Sequence, residues 1–549
     1  MAKKRSRKPP PDIPAPADQQ EHREAVVKDA EAREDNLRKR PEEMRLDMMR
    51  SVITEPLLSQ VQKKAQDGEL SATFDVILAI NEFFNGGVPN ALEYARKRAE
   101  EWGVKYSTVS HYLFACLTVA QILKLADEAR QLTEQYGRSG SVIHRIWEDT
   151  QIDVTLNKSL ATVKADAAQR SFQAYGDGIV WAVLDSGIQG DHPHFTKKVA
   201  PFGTVDSLAT SAPLEHRDFT PDAARAENAG KQTALLDRFG HGSHVGGIIG
   251  GYWQSASGAD EPVVGTEMRN EATNAPIRQR DGLRRISGVA PLCRLVSLKV
   301  IADVTQTDEG QQTAGQGKVS WVLMAIEQIQ QWNQHGKRIL VHGANLSLGY
   351  EFDPRWFACG QSPICIEVNR LVKSGVAVVV SAGNSGYSTF VLASGRSEAR
   401  FNDLTITDPG NAELAVTVGS THKSAPHTYG VSYFSSRGPT GDGRMKPDIL
   451  APGERIVSCA AGVEASKYAN VAATGGSETP VLYCEQTGTS MAAPHVSGAI
   501  AAFLSVRSEF VGQPERVKEI FMDNCIDLRR ERSFQGSGLL DLMKTLQAV

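Results

Sequence analysis

Between residue 178 and the C-terminal end, short and predominantly apolar runs recur, each closed by glycine or polar turn residues. They span 178–184, 292–300, 339–348, 376–381 and 414–418. Runs this short, apolar on both alternating faces, suit strands covered on both sides. Segments of helical periodicity at 321–332 and 366–373 lie between them. That alternation predicts an α/β fold, a mostly parallel sheet with helices on both faces. In such a sheet reactive groups collect at the carboxyl ends of strands and the amino ends of helices.

At 549 residues the chain is longer than one compact core accommodates. Residues 1–70 read as a charged, partly disordered extension: Pro-rich over 1–20, more than half charged over 21–50, and apolar enough over 49–64 for a docking linker helix. From 71 to 155 the pattern changes. A strand with one more buried face (Phe74, Val76, Leu78, Ile80) is followed by a Gly86-Gly87 turn and a helix over 89–102. An apolar segment at 112–119, a helix around Ile122, Leu125, Ala129 and Leu132, and a strand over 142–152 complete a small α+β module. A polar linker, 156–174, then leads to the α/β domain at 175–549, with a processing site expected somewhere in about 150–175.

Hydrophobic residues at 41% and charged residues at 23% are ordinary for a globular protein. The net charge of −4, from 60 Lys and Arg against 64 Asp and Glu, leaves no footprint for nucleic acid or an anionic membrane. No apolar run suits a bilayer span, and the basic start passes straight to Pro9-Pro10-Pro11 rather than to the apolar stretch of a signal peptide. A cytoplasmic location is the expectation. Seven cysteines without a C-x-x-C pair read as free thiols, although Cys359 and Cys365 could close a small disulfide loop in an oxidising compartment.

Three segments each put one reactive residue at an element boundary. The strand Val183-Leu184 ends on Asp185, and Gly187 permits a sharp exit. Gly240-His241-Gly242-Ser243-His244 opens an apolar helix. Thr487-Gly488-Thr489-Ser490-Met491 feeds a helix of small residues. A serine hydroxyl needs a base to become a nucleophile, an imidazole has the right pKa range, and a carboxylate behind it fixes its tautomer. A helix start adds backbone N–H groups aimed at developing negative charge. In Ser381-Ala382-Gly383-Asn384, a strand runs into a glycine turn where the Asn384 amide could join the Ser490 N–H as an oxyanion donor.

These four segments, in the chain order Asp, His, Ser, resemble the motif set of the subtilisin-like serine peptidases over roughly 175–545. Supporting matches are Gly288-Val289-Ala290-Pro291, Asn345-Leu346-Ser347-Leu348-Gly349, Phe434-Ser435-Ser436-Arg437-Gly438-Pro439 and Lys446-Pro447-Asp448. The resemblance implies a serine endopeptidase acting on polypeptides through an acyl-enzyme at Ser490. It also implies that Ser347, Leu348, Gly349 and Ser381, Ala382, Gly383 line the primary specificity pocket and pair with an extended substrate. The 71–155 module resembles the family's inhibitory propeptide, which implies a latent precursor blocked by its own N-terminal module. No cofactor is required; the family often binds calcium, but no ligands can be assigned and no loop has an EF-hand pattern.

Two rivals are a silent peptide-binding protein of the same fold and an acid-active peptidase with a Glu base. The second lacks the His241 motif and carries an acidic residue where Asn384 stands. Around the site, His244 and His495 read as hydrogen-bonded structural histidines, His192 and His194 as turn residues rather than metal ligands, and Arg437 as a salt-bridging loop residue. Residues 251–287 and 387–409 read as long polar loops.

Overall fold

The computed structural model describes residues 52–148, 158–225, 228–254, 263–269, 276–303, 315–355, 358–391, 397–469, 471 and 481–549. The disordered start and the charged helix expected over 1–50 lie outside these residues. The chain divides into two compact units, Met1–Asp153 and Val154–Val549.

In the first unit, α1 (Glu55–Gln66) precedes β1 (Thr73–Ile80), α2 (Gly87–Glu101), β2 (Tyr106–Val109), β3 (Tyr112–Thr118), α3 (Val119–Tyr136) and β4 (Ile143–Glu148). The strands form one antiparallel sheet in the order β2-β3-β1-β4, the arrangement of ferredoxin-like β-α-β-β-α-β units. Local chemistry explains the elements. Gly86 and Gly87 take φ of 92° and 76°, a left-handed turn that side chains resist, and so lead the chain into α2. Thr118 and Gln121 close a capping box on α3. The helix expected in 49–64 is α1, but it is no linker: Ile53, Leu57, Leu58 and Val61 share one core with Val76, Leu78 and Ile122. β2, four residues long, is too short to show a period in the sequence.

The second unit opens with α4 (Lys158–Thr162) and α5 (Ala165–Phe172), where a polar linker was expected. Leu160, Val163, Ala165 and Ala168 are buried in this unit's core. Lys164 pairs with Asp541 at 2.5 Å, and Gln169 Nε2 donates to Val289 O at 2.9 Å. The polar residues that suggested a linker are thus docking groups, and of the stretch 150–175 the part from 158 to 172 is helical structure.

The sheet of this unit has seven strands: β5 (Val180–Asp185), β6 (Arg217–Asp218), β7 (Arg294–Lys299), β8 (Gly343–Leu346), β9 (Ala377–Ser381), β10 (Val416–His422) and β11 (Ile449–Glu454). Their order is β11-β10-β9-β8-β5-β7-β6 and every pairing is parallel, as the apolar runs imply. Alternate residues of β5 serve two cores. Trp181 and Val183 pack with α6 (His241–Ile249) and α9 (Thr489–Val506) on one face. Val180, Ala182 and Leu184 pack with α7 (Val319–Trp332) and α8 (Pro363–Lys373) on the other. From β5 the chain runs out to β6 at the sheet edge, comes back to β7 beside β5, then crosses to the far side of β5 for β8 to β11. The strand order therefore reverses between β5 and β8, and the crevice beyond their carboxyl ends is where such a sheet binds its ligand.

Two expected loops are partly sheet. Val263–Arg269 pairs with Pro276–Gly282, and Tyr252–Gln254 with Arg285–Ser287. Tyr387–Val391 pairs with Ser397–Phe401. Among the described residues α9 is the one helix long and apolar enough to cross a membrane, and 83% of its length is buried as a core helix of this unit.

Candidate active site

Asp185 is the last residue of β5 and is fully buried. Its Oδ1 accepts from Ser186 N at 2.8 Å and lies 2.8 Å from His241 Nδ1. A carboxylate at Nδ1 holds the proton there and leaves Nε2 as the base. His241 starts α6 after a left-handed Gly240 with φ of 96°. Gly242 allows the helix start to sit against β5, since a Cβ there would collide with Gly187 O and stand 3.1 Å from Asp185 Cβ.

Asp237, itself buried, ties this turn together. Its Oδ1 accepts from Gly240 N at 2.7 Å and Ser186 Oγ at 2.9 Å; its Oδ2 accepts from Ser243 N at 2.7 Å and Ser243 Oγ at 2.6 Å. Ser186 Oγ in turn accepts from Gly242 N at 2.9 Å. In the sequence Asp237 leaves only a faint trace, an acid four residues before a glycine-flanked histidine. Burial works against the His241 imidazolium, but the Asp185 carboxylate, with Asp237 and Glu464 behind it, prevails and raises the pKa above 6.5.

Ser490 lies in the first turn of α9, where backbone N–H groups have no intrahelical partner. Pro494, four residues on, has no N–H to offer Ser490 O. Ser347 Oγ donates to that oxygen instead, at 2.8 Å. Asn345 Nδ2 donates to Ser347 Oγ at 2.9 Å, and Ser497 Oγ to Asn345 Oδ1 at 2.8 Å. These bonds clamp α9 to the end of β8. The Ser490 hydroxyl donates to Ser347 O at 3.2 Å rather than to His241.

Asn384 follows β9. Its Oδ1 accepts from Thr489 N at 2.9 Å and Thr489 Oγ1 at 3.0 Å. A backbone N–H can only donate, which distinguishes the amide oxygen from the nitrogen. Nδ2 is left as a donor beside the Gly488–Ser490 turn, 3.4 Å from where a Cβ on Gly488 would stand. Ser347, Leu348 and Gly349 line an open groove with His241, Val300 and Val319. Ser381 ends β9, and Ala382 O accepts from Thr407 N at 3.1 Å. Cβ atoms on Gly349 or Gly383 would each fall 2.8 Å from Thr407 Oγ1. Thr407, absent from the sequence reading, therefore joins the two segments expected to face each other across a pocket.

The neighbouring histidines are structural. His244 Nε2 lies 3.0 Å from Ile456 O and 3.1 Å from Cys484 O, and burial drives its pKa to about 3. His495 joins Met491 O at 2.8 Å and Ser159 Oγ at 2.9 Å, and burial takes it to about 4. His192 Nε2 meets Leu482 O at 2.7 Å, and His194 Nε2 meets Gly250 O at 3.1 Å. Arg437 requires a correction. It is buried between Phe401 and Phe534, with its guanidinium 5.1 and 4.1 Å from the ring centres, in place of the expected salt bridge. Among the described residues no three His, Cys, Asp or Glu side chains converge to hold a metal ion.

A buried carboxylate, an oriented imidazole, a hydroxyl at a helix start and an amide donor beside it are the parts needed to attack a carbonyl and hold its oxyanion. Comparison with known proteins agrees with that chemistry. A family model described as the subtilase family matches residues 176–539. Serine protease AprX of Bacillus subtilis is 25% identical over 386 residues, 69% of either chain. The major intracellular serine protease of the same organism is 26% identical over 370 residues, 67% of this chain and 82% of that one. Pyrolysin of Pyrococcus furiosus is 27% identical over 356 residues, covering 57% of this chain but 21% of pyrolysin.

Proposed function

Because this chain belongs to the subtilase family and is a subtilisin-like serine endopeptidase, we propose that Ser490 is its nucleophile, His241 its general base and acid, Asp185 the orienting carboxylate and Asn384 an oxyanion donor. His241 Nε2 takes the Ser490 proton as Oγ bonds to the peptide carbonyl carbon. The oxyanion is held by Ser490 N–H and Asn384 Nδ2. His241 then protonates the leaving amine, the C–N bond breaks, and water repeats the sequence on the ester to release the acid. No cofactor enters the reaction. Substrate would lie as an extended strand along Ser347–Gly349 and Ser381–Gly383. Its backbone N–H would then compete for Ser347 O and free the Ser490 hydroxyl to face His241. The observation that carries the reading is the 2.8 Å Asp185–His241 pair at the strand-order reversal. That two of the relatives compared above bear the name serine protease disfavours a silent peptide-binding protein.

The first unit, in this reading, is an inhibitory module that keeps the full chain latent. Support comes from its four-stranded β-α-β-β-α-β topology, its resemblance to the family's propeptide, and its place directly before the peptidase unit. Since α4 and α5 are docked structure, the activating cleavage expected in about 150–175 falls outside these two helices, on their N-terminal side. Intact-mass measurement beside a peptidase assay tests this: activity should appear only with chains whose new N-terminus lies just before α4. An intact 549-residue chain of full activity would contradict it.

A further inference from the structure

Pro494 weakens the first turn of α9, and two side chains hold that turn from different directions. The Ser490 carbonyl, which Pro494 cannot serve, takes Ser347 Oγ at 2.8 Å. The next carbonyl along, that of Met491, is gripped by an imidazole: His495 Nδ1 lies 2.8 Å from Met491 O. A carbonyl oxygen only accepts, so Nδ1 carries the ring proton and Nε2 is left as an acceptor. Its donor at 2.9 Å is Ser159 Oγ, 336 residues away in α4.

This relay is closed to water. His495 is fully buried and Ser159 is 4% exposed. Burial takes the His495 pKa to about 4, so the ring stays neutral wherever His241 can act as a base, and its two nitrogens keep their opposite roles. With five residues α4 is too short to hold itself, and other segments fix it. Thr162 Oγ1 donates to Lys423 O at 2.6 Å, and Leu542 N donates to Val163 O at 3.0 Å. Leu160 and Val163 enter the same core as Met491. His244 makes the contrast. It too lies on a catalytic helix, but its ring reaches Ile456 O and Cys484 O on other segments, not the backbone beside the catalytic residue.

Resting on the assignment of Ser490 as nucleophile, we propose that Ser159 and His495 are positioning residues. Through them α4 fixes the Met491 carbonyl, and with it the direction in which the first turn of α9 presents the Ser490 hydroxyl and N–H. Ser347 holds the same turn from β8, so the nucleophile is set between two clamps. Because α4 directly follows the stretch expected to be cut on activation, a cleavage that removed Ser159 would release one clamp. Activation therefore has a limit on its C-terminal side.

The test uses processed protein prepared from the full chain, with rates expressed per processed chain as counted by intact mass. It reads kcat, KM and the rate of fluorophosphonate labelling of Ser490, beside the thermal midpoint. Ser159→Ala should lower kcat and the labelling rate about 10-fold with KM unchanged, as a small misplacement of a reacting group does. Ser159→Thr, which keeps the hydroxyl, should restore both. His495→Phe, a change on α9 itself, should cause the same fall, so poor folding of one variant does not spare the proposal. Thr162→Ala removes a docking bond of α4 that does not lead to Ser490, and should leave kcat unchanged while lowering the thermal midpoint. Labelling rates unchanged in Ser159→Ala and His495→Phe, whatever their thermal midpoints, would make the relay merely structural and overturn the proposal. An equal fall of kcat in Thr162→Ala, or a loss expressed in KM alone, would overturn it too. If wild-type protein takes no label at Ser490, the nucleophile assignment fails and this proposal with it; if wild type is labelled and the variants match it, this proposal alone fails.

Discussion

The two halves of the catalytic group are built to different degrees. The acid–base half is complete: Asp185 and His241 are bonded at 2.8 Å, and Asp237 fixes the turn that carries the histidine through four short hydrogen bonds. The nucleophile half is firmly anchored but not aimed. The Ser490 carbonyl is clamped by Ser347, while its hydroxyl points to Ser347 O at 3.2 Å. Asp185 Oδ1 is already held by Ser186 N and His241 Nδ1 in the buried strand end, so the Asp185 side is settled when the protein folds. The serine faces the cleft, where the last bond forms with substrate present; such bonds commonly tighten only in the complex.

Removing the finished half should cost most. Asp185→Asn keeps the shape but disturbs the histidine tautomer, and kcat should fall about 10,000-fold, as in other serine proteases. It also shifts the pH profile. The carboxylate holds His241 above 6.5, so wild-type kcat/KM should be lost as pH falls through a midpoint above that value. In Asp185→Asn burial, the largest cause and one that favours neutral imidazole, is opposed only by Asp237 and Glu464, and the acid limb should move to lower pH. A pH–rate series on both proteins checks this, and an unmoved limb would break the link between Asp185 and His241. On the unfinished half the effect should be smaller. Asn384→Ala should lower kcat about 100- to 1000-fold with little change in KM, the magnitude the handling of one oxyanion donor has in a subtilisin. A change confined to KM would make Asn384 a binding residue instead.

This difference also governs what could be read from the sequence. β5, β7 and β9 are apolar on both faces, and their alternation with helices is visible locally. The glycines beside His241 and Ser490 mark turns that leave reactive side chains at helix starts. Long-range hydrogen bonds leave no such pattern. Asp237 reaches back to Ser186, Asn345 accepts from Ser497, and Thr407 lies against Gly349 and Gly383, partners far apart in the chain. Polar stretches misled for the same reason. Ser159, Lys164 and Gln169 bond to His495, Asp541 and Val289 across the unit, so a segment with a linker's composition is a docked pair of helices. Arg437 found aromatic faces where a carboxylate was expected.

The central claim is that Ser490 is activated by His241, and covalent labelling by a fluorophosphonate reports that activation without any choice of peptide. With processed protein, label should appear on Ser490, its rate should rise with pH through a midpoint above 6.5, and His241→Ala should slow it about 1000-fold or more. Labelling at another residue, or at Ser490 with a rate indifferent to His241→Ala, would contradict the account.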